Sequence, residues 1–337
     1  MASTAFASDV IEVSIVVPVY NEQENVAPLV SEIEAAMSAA GRSWELIVVD
    51  DGSRDETSRR LKQLATEHRW LKVIVLRRNF GQTAAMHAGI QMATGRVIVT
   101  LDGDLQNDPR DIPQMLALLD QGYDLVHGWR RQRQDRWLSR RLPSRLANWL
   151  IRKVTGVPIR DLGCTLKAVK RELAQQLELY GEMHRFIAIL AHQLGARMVE
   201  METHHRPRRF GTTKYGLGRT TRVLLDLMTV KYMLKYFDSP MKLFGQFGIG
   251  VGLLGLVSFA AVGVMKLWGG MNMTGNPLLL LGVLATILSA QFFSLGLLGE
   301  VNARIYFAHA ERQNYQVREC INFPEAEDAP TVDRRAA

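Results

Sequence analysis

Two stretches near the carboxyl end constrain this chain more than anything else in it. Residues 247–265 carry no charge, and neither do residues 277–299. Each is about twenty residues long, the length at which a helix crosses a ~30 Å hydrocarbon layer. They predict a pair of membrane-spanning helices. The linker at 266–276 has one charge, Lys266, whereas Arg304, Arg312 and Arg318 follow the second run. The bias of basic residues toward the cytoplasmic side then places both ends of the hairpin in the cytoplasm and its tip outside. Gly248, Gly252 and Gly255 in the first run, and Gly296 and Gly299 in the second, permit close helix packing. Gln291 is a lone amide suited to an interhelical hydrogen bond. Just upstream, residues 222–241 mix Leu, Met and Tyr with Lys231 and Lys235, the pattern of an interfacial helix.

The first 240 residues read differently. β-Branched runs at 13–19, 45–50, 72–76, 97–101 and 124–128 alternate with amphipathic segments at 21–40, 53–70 and 83–93. That alternation predicts βαβ units and a mainly parallel sheet with helices on both faces. Asn21 is positioned to cap the first helix, and Ser53 or Asp55 the second. A further helix to about residue 194 and a strand at 197–203 complete the unit. The expected organisation is an α/β domain at 1–220, an interfacial helix at 221–242, a transmembrane hairpin at 243–306 and a largely disordered tail at 307–337. Beyond Phe323 the tail is acidic and contains proline. Two cysteines, Cys164 and Cys320, cannot build a disulfide framework and fit a reduced, cytosol-facing setting. Residues 1–9 lack the basic and apolar regions of a cleavable signal.

In parallel sheets ligands bind at the carboxyl ends of strands. Three polar motifs stand at those ends: Tyr20-Asn21-Glu22, Asp50-Asp51-Gly52-Ser53 and Asp102-Gly103-Asp104-Leu105-Gln106. If the last is extended, Asp102 and Asp104 face one site, because i and i+2 point the same way in a strand. Hard oxygen ligands of this kind suit Mg²⁺ or Mn²⁺, which need only one or two protein carboxylates when a diphosphate supplies the rest. Neither G-x-G-x-x-G after the first strand nor G-x-x-x-x-G-K-[ST] occurs, which argues against a dinucleotide dehydrogenase and a P-loop ATPase.

The other side of the chain is basic. Formal net charge is +7, which calls for an anionic partner: nucleic acid, a phosphorylated substrate or an anionic membrane. Trp129, Arg130, Arg131, Arg133, Arg136, Trp137, Arg140, Arg141, Arg145, Trp149, Arg152 and Lys153 are interrupted by one acid, Asp135. Arginines beside tryptophans fit a helix at an anionic membrane surface with cations available for phosphates. Nucleic acid is set aside because no recognised DNA- or RNA-binding module accompanies the charge. His204-His205 would point to opposite faces of a strand, which argues against a metal pair. Residues 206–216 are basic, glycine-bearing and rich in hydroxyls, as a loop closing over a diphosphate would be.

Together Pro18-Val19-Tyr20-Asn21-Glu22, Asp50-Asp51-Gly52-Ser53, Asp102-Gly103-Asp104-Leu105-Gln106 and Arg209-Phe210-Gly211-Thr212-Thr213-Lys214-Tyr215 resemble the family 2 glycosyltransferases. Within them the chain is similar to the polyprenyl-phosphate transferases, such as dolichol-phosphate mannosyltransferase and the undecaprenyl-phosphate glucose and aminoarabinose enzymes. The resemblance runs from about residue 13 to residue 306. Residues 78–82 and 133–137 lean toward the bacterial undecaprenyl branch. Gly103 departs from the pattern, where many relatives carry Ala, and so does Thr213, where Ser is usual.

The resemblance implies an α/β GT-A nucleotide-sugar fold followed by interfacial and transmembrane helices. Pro18, Tyr20, Glu22, Asp51 and Gly103 would hold the nucleotide donor, Asp51 accepting from the base. Asp102 would contact ribose or donor, and Asp104 with Gln106 would bind the divalent cation. Arg130, Arg140, Arg141, Arg209 and Lys214 are the candidates for diphosphate and acceptor phosphate, with Asp102, Asp104, Arg130 and Arg141 closest to the chemistry. The implied reaction is inverting sugar transfer from a UDP- or GDP-sugar to polyprenyl phosphate at the inner membrane of a bacterium. The catalytic domain would be cytoplasmic and the enzyme a homo-oligomer, a tetramer by resemblance. A processive polysaccharide synthase is the nearest rival, but its Q-x-x-R-W motif is not matched: Arg136-Trp137 follow Gln132 and Gln134, with Arg at 133. A non-catalytic nucleotide-binding membrane scaffold is the rival from another class, and intact Asp102, Asp104 and Gln106 argue against it.

Overall fold

A computed structural model describes residues 11–131, 157, 159–177, 179, 181, 183–207, 232, 236, 239–270, 272, 274–308 (backbone only at 304 and 306–308) and 315–323. The chain divides into two compact units, residues 1–217 with 313–337, and residues 218–312.

The first unit is built on eight strands: β1 (Val13–Val19), β2 (Trp44–Asp50), β3 (Leu71–Leu76), β4 (Val97–Thr100), β5 (Leu125–Trp129), β6 (Lys167–Lys170), β7 (Met198–Glu202) and β8 (Val317–Ile321). They form one sheet in the order β7-β5-β6-β4-β1-β2-β3-β8. β1 pairs in parallel with β2 and β4, β2 with β3, and β5 with β7. β6 runs antiparallel between β4 and β5, and β8 is antiparallel to β3. The first three strands are buried on both faces, which is why they read as unbroken apolar runs.

Side-chain alternation sorts the helices onto the two faces. Ile15, Val17, Leu46, Val48, Val73 and Val75 meet α1 (Val26–Ala40), α2 (Thr57–Glu67) and α4 (Ile112–Asp120) through Leu29, Ile33, Met37, Leu61, Met115 and Leu116 in one core. On the opposite face α3 (Gln82–Met92) lies so close that a Cβ on Gly89 would stand 2.4 Å from Val16 Cγ1. Two short helices, α5 (Arg171–Gln175) and α6 (Ile187–Gln193), complete the unit.

Two expectations are corrected. Asn21 does not cap α1, which begins five residues later; it turns at φ 53° and its Oδ1 accepts from the Arg54 N–H at 2.8 Å. The segment after the hairpin is not all a disordered tail. Residues 317–321 are β8, which satisfies the outer edge of β3. The Asn322 amide then donates to the carbonyls of Ala65, His68 and Leu71 at 2.7, 3.2 and 2.8 Å, and Lys62 pairs with Glu319 at 2.5 Å.

The second unit is a helical hairpin, α7 (Pro240–Gly269) and α8 (Pro277–Ala308). Both helices, over Pro240–Gly269 and Pro277–Ala303, are long and apolar enough to cross a membrane. Their large side chains point outward, Leu256, Leu267 and Leu280 among them, as lipid-facing residues do. The glycines make the seam. Gly248 packs on the Phe293 ring, Gly252 on Ser289, Gly255 on Ala285, and Ser289 Oγ donates to the Gly248 carbonyl at 2.7 Å.

Candidate functional site

The register of the sheet brings the three motifs together. Val19 lies opposite Asp50, and Val16 opposite Thr100, so β1, β2 and β4 end at one rim. The Asp51 N–H donates to Val19 O at 2.9 Å and the Leu101 N–H to Val16 O at 3.1 Å, extending both pairings into the loops. Pro18 is the penultimate residue of β1, and Tyr20 and Glu22 follow its end. The Glu22 N–H donates to Thr57 Oγ1 at 2.9 Å, and Glu22 Oε2 accepts from the Asn25 amide at 2.5 Å.

Asp51 is buried, and its two oxygens accept from the Phe80 and Gly81 N–H groups at 2.7 and 2.9 Å. Burial pushes its carboxyl up, with those two hydrogen bonds opposing. Asp51 therefore braces the loop at 78–82 before it meets any ligand, and a nucleobase would share lone pairs already in use. Gly52 fits beneath the same loop: its φ is +67°, and a Cβ there would stand 2.5 Å from the Arg78 carbonyl carbon. Gln82, at the start of α3, donates to Asp102 Oδ1 at 2.7 Å. Nothing in its local sequence marks Gln82 as a partner of Asp102.

The acidic motif is a turn, not the extended segment expected. Leu105 has φ 60°, and Asp104 Oδ1 accepts from the Gln106 N–H at 3.2 Å. Asp102 and Asp104 are nonetheless close enough to interact. Burial and the Asp104 charge push the Asp102 carboxyl up to about 6, against Thr165, Arg130 and Lys167. Gly103 sits so near β1 that a Cβ would stand 2.6 Å from Val19 Cγ1. An alanine here would require Val19 to shift.

Behind Asp102 lies a cationic layer. Arg130, just past β5, is 11% exposed and donates from Nε and Nη2 to Asp161 at 2.8 and 3.0 Å. Burial works against the Arg130 charge, but Asp161 holds it firmly protonated. One edge of its guanidinium, Nε with Nη2, is thus taken up by Asp161. Lys167 of β6 is fully buried and donates to Cys164 O at 2.5 Å. Burial pushes it down to about 8, while Asp102 and Asp161 favour its charge. His127 Nε2 donates to Asp161 O at 2.8 Å, and burial pushes that imidazole down to about 3. The sequence marks Asp161 only as the start of a turn and gives no sign of a site role for it, Lys167 or His127. Arg140, Arg141, Arg209, Lys214, and the stretch at 133–137 lie outside the described residues.

The oxygen donors suit a hard divalent cation shared with a ligand. Asp104 offers a carboxylate. The Gln106 amide nitrogen is used on Arg206 O at 3.5 Å, and its Oε1 has no partner among the described residues. Among those residues no group of three or more His, Cys, Asp and Glu is placed to hold a metal. An incomplete protein set of this kind fits Mg²⁺ or Mn²⁺ completed by diphosphate oxygens and water.

Comparison with known proteins shows the family to which the chain belongs. The glycosyl transferase family 2 model matches residues 14–178. The chain is 43% identical over 316 residues to dodecaprenyl-phosphate galacturonate synthase of Rhizobium johnstonii, across 93% of this chain and 94% of that protein. It is 36% identical over 313 residues to undecaprenyl-phosphate 4-deoxy-4-formamido-L-arabinose transferase of an Enterobacter species, across 92% and 94%. Among solved structures, glucosyl-3-phosphoglycerate synthase from Mycobacterium tuberculosis, in complex with Mn²⁺, UDP-glucose and phosphoglyceric acid, superposes with a TM-score of 0.51 at 21% identity. That match covers 68% of this chain and 82% of the other, and it reports the shared GT-A fold.

Proposed function

Because the chain belongs to glycosyl transferase family 2 and is a glycosyltransferase, we propose that it moves a sugar from a nucleotide sugar to a polyprenyl phosphate, inverting the anomeric carbon. The observation that carries this reading is the turn holding Asp102, Asp104 and Gln106 at the common rim of β1, β2 and β4, with Arg130 fixed behind it. The apolar hairpin supports a lipid acceptor. The two relatives named above act on dodecaprenyl and undecaprenyl phosphate, and this chain would use an acceptor of the same class.

A phosphate oxygen of the acceptor forms the new bond to the anomeric carbon as the bond to the diphosphate breaks, and the electron pair leaves with the nucleoside diphosphate. The acceptor phosphate is largely ionised near neutral pH, so no strong general base is needed. What the site must do is bring two anions together and stabilise the departing one. Pro18, Tyr20 and Glu22 line the donor side, and Asp51 fixes the loop whose Gln82 orients Asp102. Arg130, locked by Asp161, presents a fixed positive charge near Asp102. A divalent cation on Asp104 and Gln106 would supply Lewis-acid stabilisation of the leaving diphosphate. Arg140, Arg141, Arg209 and Lys214 are the proposed phosphate cations from the rest of the chain. The same reading places the first unit on the cytoplasmic face of the bacterial inner membrane and the enzyme in a homo-oligomer, a tetramer by family resemblance. It retains an interfacial helix ahead of α7, expected at 221–242 although residues 240–242 already belong to α7.

The test is label transfer from a panel of UDP- and GDP-sugars, including uronic acid and 4-substituted pentose donors, to undecaprenyl phosphate in vesicles. Label should enter the organic phase from one donor as a mild-acid-labile glycolipid. Nucleotide binding without transfer from any donor would favour a scaffold, and a growing water-soluble polymer would favour a processive synthase.

A further inference from the structure

The start of the basic loop at 206–216, with His204 and His205 before it, is stitched along the turn at 102–106 and the residues that follow it. The Arg206 N–H donates to Gln106 O at 2.8 Å, and the Gln106 amide donates back to Arg206 O at 3.5 Å. Asn107 and His205 form an antiparallel bridge. One step further out, the His204 N–H donates to Asp111 Oδ2 and His204 Nδ1 lies against Asp111 Oδ1, both at 2.7 Å. The side chain of Arg206 then clamps this short ladder from outside: Nη2 reaches Asp108 Oδ2 at 2.6 Å, and Nη1 reaches Glu32 Oε2 of α1 at 2.6 Å. Asp108 is buried, and although burial raises its carboxyl, hydrogen bonds from Arg110 and Arg206 hold it well below the usual carboxylate range.

The consequence falls on Gln106. A free glutamine amide rotates, and either end can face a ligand. Here the nitrogen is engaged by the Arg206 carbonyl, which turns Oε1 away as an acceptor with no partner among the described residues. We propose that Arg206 is a positioning residue for the cation: its guanidinium, held between Asp108 and Glu32, fixes the backbone that orients the Gln106 amide oxygen. This rests on the assignment of Gln106 as a metal ligand and adds what sets its orientation. Groups that orient a ligand in this way typically contribute about 10–100-fold to metal affinity.

The test measures binding rather than turnover. Full-length protein in detergent is titrated with Mn²⁺ at saturating UDP, and free Mn²⁺ is followed by its electron paramagnetic resonance signal. Arg206→Ala should weaken Mn²⁺ binding about 10-fold while UDP binding without metal stays at the wild-type level. Arg206→Lys, which can still reach one carboxylate, should fall between the two. If Arg206→Ala is poorly folded, Glu32→Gln removes one arm of the clamp and should still weaken Mn²⁺ binding measurably. Wild-type Mn²⁺ affinity in folded Arg206→Ala, or in Glu32→Gln where that variant serves, overturns the positioning role. A wild-type protein that binds UDP but no Mn²⁺ overturns the cation assignment itself, and the inference with it.

Discussion

The two units solve the problem of polar groups in opposite ways. The hairpin nearly dispenses with them: α7 and α8 meet through glycines, Phe293, Ala285 and the Ser289–Gly248 hydrogen bond, and their outer faces are apolar. The sheet unit buries charge instead. Glu45, Asp50, Asp51, Asp108, Asp161 and Lys167 are all buried there, and most are bound by partners distant in sequence. A hairpin can be assembled from shape alone because lipid exerts no pull on apolar surface. A site that handles two phosphates needs fixed charges, and fixed charges need a scaffold of hydrogen bonds around them.

The strongest way to break this contrast is to end the chain after Arg312. The hairpin sequence would remain, but β8 would be lost from the sheet. Tyr315, Ile321 and the three hydrogen bonds of Asn322 together contribute on the order of 5 kcal/mol, comparable to the whole stability of many domains. The truncated protein should lose its cooperative thermal transition and its nucleotide binding; a wild-type melting profile would show that β8 is dispensable. Next in size is Asp161→Ala. It leaves Arg130 buried without its carboxylate, which should destabilise the sheet unit by about 3–5 kcal/mol. Differential scanning of the protein with UDP measures this, and a loss below about 1 kcal/mol would mean that Arg130 finds another anion.

Gly252→Leu sharpens the comparison from the other side. A Cβ at 252 already meets Ser289 Oγ at 2.9 Å, so a leucine should force the helices apart at a cost of about 1–3 kcal/mol. Use of long-chain acceptor should fall while UDP affinity is unchanged. Equal loss of both would show that the glycine seam also supports the nucleotide site. The effect that is smallest at neutral pH, and grows only with acid, is that of two buried histidines. Burial pushes His127 and His184 down to about 3, so both stay neutral in the folded chain. Below pH about 6.5 the unfolded chain takes up protons that these two sites refuse, and stability falls by about 1.4 kcal/mol per pH unit for each. His184→Gln should reduce the slope of melting temperature against pH between about 6.5 and 4; an unchanged slope would assign the acid lability elsewhere.

What could be read from the sequence follows the same division. The hairpin, with its glycine seam, is a local property of composition and spacing. So are β1 to β4, whose apolar runs and terminal acids declare themselves within a few residues. β6 and β8 could not be seen that way. Each is a strand of four or five residues held antiparallel to a strand far away in the chain, and β8 carries Arg318 and Glu319 where a strand signal would need apolar alternation. The site divides likewise. Asp102, Asp104 and Gln106 stand in one motif, whereas Gln82, Asp161, Lys167 and Arg206 join them only through contacts made by folding. Asn21 misled because its side chain caps a neighbouring loop, a choice that tertiary structure decides.

The central claim is that sugar transfer to polyprenyl phosphate takes place on the Asp102-to-Gln106 turn. It is tested most directly by Asp104→Asn in the vesicle assay with the donor that the wild type accepts. The substitution keeps size and shape and removes one carboxylate from the cation side. Organic-phase label should fall by about 100-fold or more, with the melting temperature and metal-free nucleotide binding retained. Transfer at the wild-type rate by a folded Asp104→Asn enzyme would contradict that claim.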